Sequence, residues 1–136
     1  MDLSGVNFRR AILDRCNFQG SNLAGADFRK ASLVGADLMK CALDGADFRG
    51  AKLTKAKLNL SNFQGAKLDD ADLRGVRGRY AFWRRANWWD AKLNDDLREV
   101  LNKKWPKEDW YYSSSDECNF VGELRAALPD ANIIGR

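Results

Sequence analysis

A small residue followed two places later by an apolar one recurs every five residues from Met1 to Leu93, without an insertion or deletion. The small places run from Val6, Ala11, Cys16, Ser21 and Ala26 to Ala91. The apolar places run from Leu3, Phe8, Leu13, Phe18, Leu23 and Phe28 through Trp83 and Trp88 to Leu93, and only Gly78 breaks them. A period of five fits neither regular element. On a helix, five steps of about 100° displace each repeat by about 140°, which smears the marks around the cylinder. On a straight strand, side chains alternate between faces, so an odd period sends successive repeats to opposite sides. Both places point inward in every repeat only if the chain turns a corner about once per repeat and winds into a solenoid with one core along its axis.

The residues between these marks fit corners. Gly5, Gly20, Gly25, Gly35, Gly45, Gly50, Gly65 and Gly75 all occupy the last place of a repeat, where a turn needs tolerance of positive φ. Asn or Asp precedes the inward apolar residue at Asn7, Asn17, Asn22, Asp27, Asp37, Asp47, Asn62, Asp72 and Asn87, positions from which a short polar side chain reaches neighbouring backbone. The remaining places carry most of the Arg and Lys and face water.

Segments such as Ala26-Asp27-Phe28-Arg29-Lys30, Ala46-Asp47-Phe48-Arg49-Gly50 and Ser61-Asn62-Phe63-Gln64-Gly65 give the pattern A-(D/N)-(L/F)-x-G, which resembles the pentapeptide-repeat family over roughly residues 1–95. The resemblance implies a right-handed quadrilateral β-helix, an all-β solenoid with four repeats per coil. The sequence carries its own check on the four sides. At a spacing of twenty residues the columns become Leu13, Leu33, Leu53, Leu73, Leu93 and Phe8, Phe28, Phe48, whereas a spacing of fifteen mixes Phe with Leu. The nineteen repeats make almost five coils, a post on the order of 23 Å tall at the usual strand spacing.

Composition excludes most chemistry. The chain has no histidine and three cysteines with no CxxC spacing, which argues against imidazole acid-base catalysis, a zinc site or a disulfide framework. Cys16 and Cys41 occupy small inward places and read as packing residues. No phosphate-binding glycine loop is present, since the glycines recur as corners. Asp69, Asp70 and Asp72, and Asp95 with Asp96, read as solvated charges. The expectation is therefore no enzyme and no cofactor. Neither a signal peptide nor a membrane-spanning apolar run is evident, so the expected location is cytoplasmic.

What remains is a surface. Residues 1–95 hold seventeen Lys or Arg against eleven Asp, while residues 96–136 hold six against eight acidic residues. On a twenty-residue coil, Arg9, Arg29 and Arg49 stack about 4.8 Å apart beside Asn7, Asp27 and Asp47. This ladder reads either as a site for an acidic partner or phosphate backbone, or as a solvated face whose repulsion Asp27 and Asp47 relieve. A second candidate patch forms where the repeats turn aromatic, with Phe82 and Trp89 beside Arg84 and Arg85. There Gly78 leaves an inward place empty, which predicts local distortion of residues 76–80 with a neighbouring bulky side chain in the gap.

The tail, residues 96–136, reads as a short α-helical C-terminal cap. A helix capped by Asn94 or Asp95 runs to about Lys104, with Leu97, Val100 and Leu101 on one side, and Pro106 stops it. A second helix is expected within Val121–Leu128, and Cys118–Gly122 and Ala131–Gly135 look like single stray repeats. A solenoid end exposes apolar residues and strand edges, so a cap or a C-terminal dimer meets a physical need. At the other end Asp2-Leu3-Ser4-Gly5 is already a repeat, which leaves the first coil's lower edge open. Taken together, the sequence favours a noncatalytic protein-interaction scaffold. The family resemblance also implies a DNA-mimic inhibitor of gyrase, but such mimicry needs an acidic rod and this one is basic. A nucleic-acid-binding module suits the charge better, although interspersed Asp dilutes it.

Overall fold

The computed structural model of the chain describes residues 1–107. From Met1 to Asn94 the chain forms one compact unit, and a second begins at Asp95. In the first unit the second residue of a repeat makes a parallel bridge to the residue twenty places on, in an unbroken series from Asp2 with Asn22, Asn7 with Asp27, Ile12 with Ser32 and Asn17 with Asp37 up to Asn62 with Phe82, and again at Asp72 with Lys92; between them the Leu68 N–H goes instead to the Asn87 side chain. One coil therefore has four sides. The first side carries residues 1–3, 21–23, 41–43, 61–63 and 81–83. The second, third and fourth sides start five, ten and fifteen residues later.

A typical repeat is tied to the next coil by three backbone bonds and closed by a fourth. The Leu23 N–H donates to the Ala42 carbonyl (2.7 Å), the Ala42 N–H returns to the Ser21 carbonyl (3.1 Å), and at the corner the Gly25 N–H donates to the Asp44 carbonyl (2.9 Å). The corner itself closes with the Ala26 N–H on the Leu23 carbonyl (3.0 Å). The polar second residue adds an Asx bond, as when Asn7 Oδ1 accepts the Arg9 N–H and Asn62 Oδ1 accepts the Gln64 N–H.

The last corner residue has positive φ in every repeat from residue 5 to residue 85, whether or not it is glycine. Eight are Gly, at φ 66–76°, and nine are Arg10, Arg15, Lys30, Lys40, Lys55, Leu60, Asp70, Tyr80 and Arg85, at φ 58–65°. The coil thus imposes a left-handed residue that nine side chains adopt at a cost of about 1–2 kcal/mol each.

Inside, like stacks on like. The rings of Phe8 and Phe28 lie 5.2 Å apart, those of Phe28 and Phe48 4.8 Å apart and parallel within 1°, and Phe63 stacks on Trp83 at 4.5 Å. Leu33, Leu53 and Leu73 fill the third side and are wholly buried. Trp83 also fills the space left by Gly78, its ring carbon Cζ2 lying 3.6 Å from where a Cβ would stand. The backbone there is not distorted as the sequence suggested. Arg77 keeps its bridge to Lys57, the Ala81 N–H closes the corner on the Gly78 carbonyl, and Tyr80 keeps the standard left-handed φ. A filled core leaves the backbone free to follow the hydrogen-bonded register.

In the first coil Leu3, Phe8, Leu13 and Phe18 are only half-buried, although the residues stacked above them are not exposed at all. Cys16 is likewise half-buried, for the same reason, whereas Cys41 is buried with Sγ on the Phe18 carbonyl at 2.9 Å and its thiol pushed up by that burial. The last coil departs from the pattern at Trp88–Asp90, a short 3-10 turn.

The second unit starts with helix α1, Asp95–Lys104. Asp95 and Asp96 in its first turn and Lys103 and Lys104 in its last complement the helix dipole. Leu101 is buried and Leu97 half-buried, but Val100, expected on the same side, is exposed. The apolar stripe is the narrower i, i+4 pair. The expected second helix and the stray repeats Cys118–Gly122 and Ala131–Gly135 lie outside the described residues.

Two substitutions separate the backbone and core contributions. Gly45→Ala meets no atom within 4 Å, so its expected loss of about 1 kcal/mol in urea denaturation measures the left-handed corner alone. Leu60→Gly at an equivalent corner is expected to gain up to about 1 kcal/mol. Phe28→Asp places a charge in the closed core and should unfold the solenoid, while Arg29→Ala should leave it folded. A neutral Gly45→Ala would show that the corner conformation carries no strain.

Candidate interaction surface

The corner between the second and third sides holds residues 9–10, 29–30, 49–50 and 69–70 in vertical register. Their side chains line an open groove of ≈ 370 Å³ formed by Arg9, Arg10, Arg29, Lys30, Arg49, Gly50, Asp69 and Asp70. The arginine ladder therefore stands at a corner of the post. Five cations occupy its lower rungs and two carboxylates its top.

Two of the rungs are clipped. Arg29 donates through Nε (2.9 Å) and Nη2 (2.7 Å) to the two carboxylate oxygens of Asp27. Arg49 grips Asp47 in the same way, at 2.9 and 2.6 Å. The clip is an i, i+2 pair whose acidic member also accepts the Arg N–H as an Asx turn. It recurs at Asp72 and Arg74, with Nη2 2.7 Å from the carboxylate. Cross-coil contacts are looser: Arg29 Nε lies 3.7 Å from Asp47, and Arg9 Nε lies 4.0 Å from Asp27. Arg9 has Asn7 instead of an acid in its own repeat, so it has no clip. Each clip engages two of the five guanidinium N–H groups, which fixes the plane of the cation and leaves further donors on its edge.

The titration of these acids follows from the clips. Hydrogen bonding from the Arg29 side chain is the main reason the Asp27 carboxyl falls to about 2, reinforced by its charge and opposed by partial burial. At Asp47 burial pulls upward, but the Arg49 side chain and backbone N–H outweigh it and the carboxyl is lowered. The same bonds raise Arg29 and Arg49.

Of the other candidate residues, Phe82, Arg84 and Arg85 lie away from this groove, whereas Trp89 continues its corner column. Phe82 is half-buried on the first side of the last coil, bridged to Asn62, and Arg84 and exposed Arg85 form the corner after it. Trp89 belongs to the corner above Asp69, within the 3-10 turn, with its ring edge-on to buried Trp88 at 5.7 Å. Asn87 anchors that turn. Its Oδ1 accepts the Leu68 N–H (2.7 Å), and its Nδ2 donates to Asp69 (2.6 Å) and Asp90 (3.2 Å). Sequence reasoning missed Arg10, Lys30, Asp69 and Asp70 as groove residues. The twenty-residue columns that aligned Arg9, Arg29 and Arg49 also align these neighbours, so the signal was present.

The family model for pentapeptide repeats matches residues 2–39 and 41–77 in eight copies. No curated protein matches the chain in sequence. Among solved structures, a pentapeptide repeat protein from the thylakoid lumen of Arabidopsis thaliana is 33% identical over 75% of this chain and 74% of its own length, with a TM-score of 0.45. Rfr23, a pentapeptide repeat protein from the cyanobacterium Cyanothece 51142, is 23% identical over 68% of this chain and 80% of its own, with a TM-score of 0.62. Full-length QnrB1, a plasmid-mediated fluoroquinolone resistance protein, is 22% identical over 70% of both chains at a TM-score of 0.33.

The lowered Asp27 carboxyl makes the clip a source of acid resistance. Because its folded value of about 2 lies below its ordinary 3.8, the stability it contributes is present above the ordinary value and is lost as pH falls through about 2. In Arg29→Ala, the Asp27 titration followed by carbon-detected NMR should move up toward the ordinary value. An unmoved titration would mean that the clip is not the cause.

Proposed function

The chain belongs to the pentapeptide-repeat family, and from its right-handed β-helix and basic groove we propose that it is a noncatalytic scaffold whose Arg9 corner binds an acidic segment of another protein. The groove carries this reading. Its three lower rungs present Arg9, Arg10, Arg29, Lys30 and Arg49 on a rigid backbone, with the two clipped guanidinium planes already oriented. A carboxylate-bearing segment then gains charge-assisted bonds without the entropy of ordering those arginines. Asp69 and Asp70 end the basic run at the fourth rung. A short acidic segment fits below them, whereas a phosphate backbone continuing up the post runs into two carboxylates. Mimicry of DNA, the reading that would make the chain an inhibitor of gyrase, runs against the positive charge of the repeats.

The finer architecture belongs to the same proposal: a post of almost five coils, a repeat domain ending near residue 95, and a cap made by the helical segment that follows. The need for a cap comes from the open strand edge and apolar interior that any solenoid end exposes. Helix α1, with Leu101 buried and Leu97 half-buried, follows the last repeat directly.

Labelled glutamate-rich peptide should bind in fluorescence anisotropy, and Arg9→Glu combined with Lys30→Glu should weaken it at least about tenfold. Labelled duplex DNA should bind only at low salt, because phosphate contacts are lost steeply as counterions compete. Tight duplex binding at physiological salt, or inhibition of gyrase supercoiling, would overturn the scaffold reading. Truncation after Asp95 should produce aggregation that the full chain does not show, and a truncated chain as heat-stable and soluble as the whole would remove the cap.

A further inference from the structure

Rung spacing limits what can lie along the basic corner. On this side of the post Phe28 and Phe48 stack 4.8 Å apart and parallel within 1°, so Arg9, Arg29 and Arg49 recur at about 4.8 Å and Asp69 and Asp70 stand about 14 Å above the first rung. The clips decide which edge each arginine offers. Arg29 and Arg49 engage Nε and one hydrogen of Nη2 with their own aspartates, which leaves the paired N–H groups of Nη1 and Nη2 on a second edge, a bidentate seat for a carboxylate. These side chains are 38% and 44% exposed, and unclipped Arg9 is 49% exposed.

We propose, resting on the reading of this groove as a site for an acidic segment, that the segment is an α-helix lying along the post, with glutamates at i, i+3 and i+7 and a lysine or arginine at i+10. A single segment has two regular repeats to offer. In a helix rising 1.5 Å per residue, the later positions stand about 4.5, 10.5 and 15 Å from the first, within about 1 Å of rungs at about 4.8, 9.6 and 14.4 Å. In an extended chain, residues on one face are about 6.7 Å apart, so the third lies about 4 Å beyond its arginine and the fourth about 6 Å beyond the aspartates. The clips hold Arg29 and Arg49 against following such a drift.

The fourth rung fixes the far end of the helix. Asp69 and Asp70 line the same groove as the five cations, so a further glutamate at i+10 meets two carboxylates, whereas a lysine there meets opposite charge. Residues at i, i+3, i+7 and i+10 share one face of a helix, and the pattern of three acids and one cation therefore mirrors the groove in sign as well as in spacing. An all-acidic helix shares the spacing but not the sign.

Three labelled peptides of equal net charge test this against the full chain by fluorescence anisotropy. The first is a helix stapled on its far face, with glutamate at i, i+3 and i+7 and lysine at i+10. The second carries the same staple and the same residues with the charges scattered around the helix, and the third is an extended chain in which proline alternates with the glutamates and the lysine. The first should bind at least about tenfold tighter than either of the others. Equal or tighter binding by either of those overturns the helix and leaves the acidic-segment reading standing, whereas binding by none of the three overturns both. Glutamate in place of the lysine at i+10 should weaken the first peptide, and Asp70→Lys in the protein should restore it, since Lys30, Lys40 and Lys55 already hold the equivalent left-handed corner. Binding indifferent to that exchange overturns the register.

Discussion

Everything in the solenoid depends on the parallel backbone pairing of each repeat with the one twenty residues further on. A repeat of five residues has too little apolar surface to hold itself, and it gains a core only when it lies on its neighbours above and below. The pairing fixes the vertical register, and the register determines which side chains stack. Phe28 lies parallel to Phe48 because the Phe28 N–H is bonded to the Asp47 carbonyl at 2.7 Å, not because the rings alone seek that geometry. The same constraint explains the nine left-handed residues that are not glycine. A corner that turned otherwise would break four bonds of the ladder, so the local cost at Lys30 or Tyr80 is accepted.

Register also organises the exterior. Columns of outward side chains stand one strand spacing apart, close enough for like charges to repel. The chain meets this in two ways along the Arg9 corner. Asp27 and Asp47 clip the arginine of their own repeat and reach toward the one beside it, and the column changes sign at Asp69 and Asp70. The outcome is a groove with cationic edges whose guanidinium planes are already held. Rigid, partly neutralised charge favours a short complementary segment over a long polyanion.

The two ends of the coil differ in kind from its sides. Between stacked coils most of the backbone is paired, whereas on the lowest coil the N–H and carbonyl groups of Asp2, Asn7, Ile12 and Asn17 have no backbone partner among the described residues. Its half-buried Phe8 and Phe18 carry the same mismatch into the core.

The sequence by itself determined the solenoid, its four sides and its inward residues, because a five-residue period leaves no other way to bury both marks and because like residues align only at a spacing of twenty. It also located the Arg9, Arg29 and Arg49 column and helix α1. Other features required the tertiary structure. That Trp83 fills the space at Gly78 without distorting residues 76–80, that Cys16 is half-buried while Cys41 is buried, and that Val100 faces outward all depend on what lies in the coil above or below, or on how an element packs, none of which a periodicity records. The bidentate clips of Asp27 with Arg29 and Asp47 with Arg49, and the groove that adds Arg10, Lys30, Asp69 and Asp70, arise for the same reason: sequence spacing fixes which residues share a column, but only the folded corner fixes where their side chains meet.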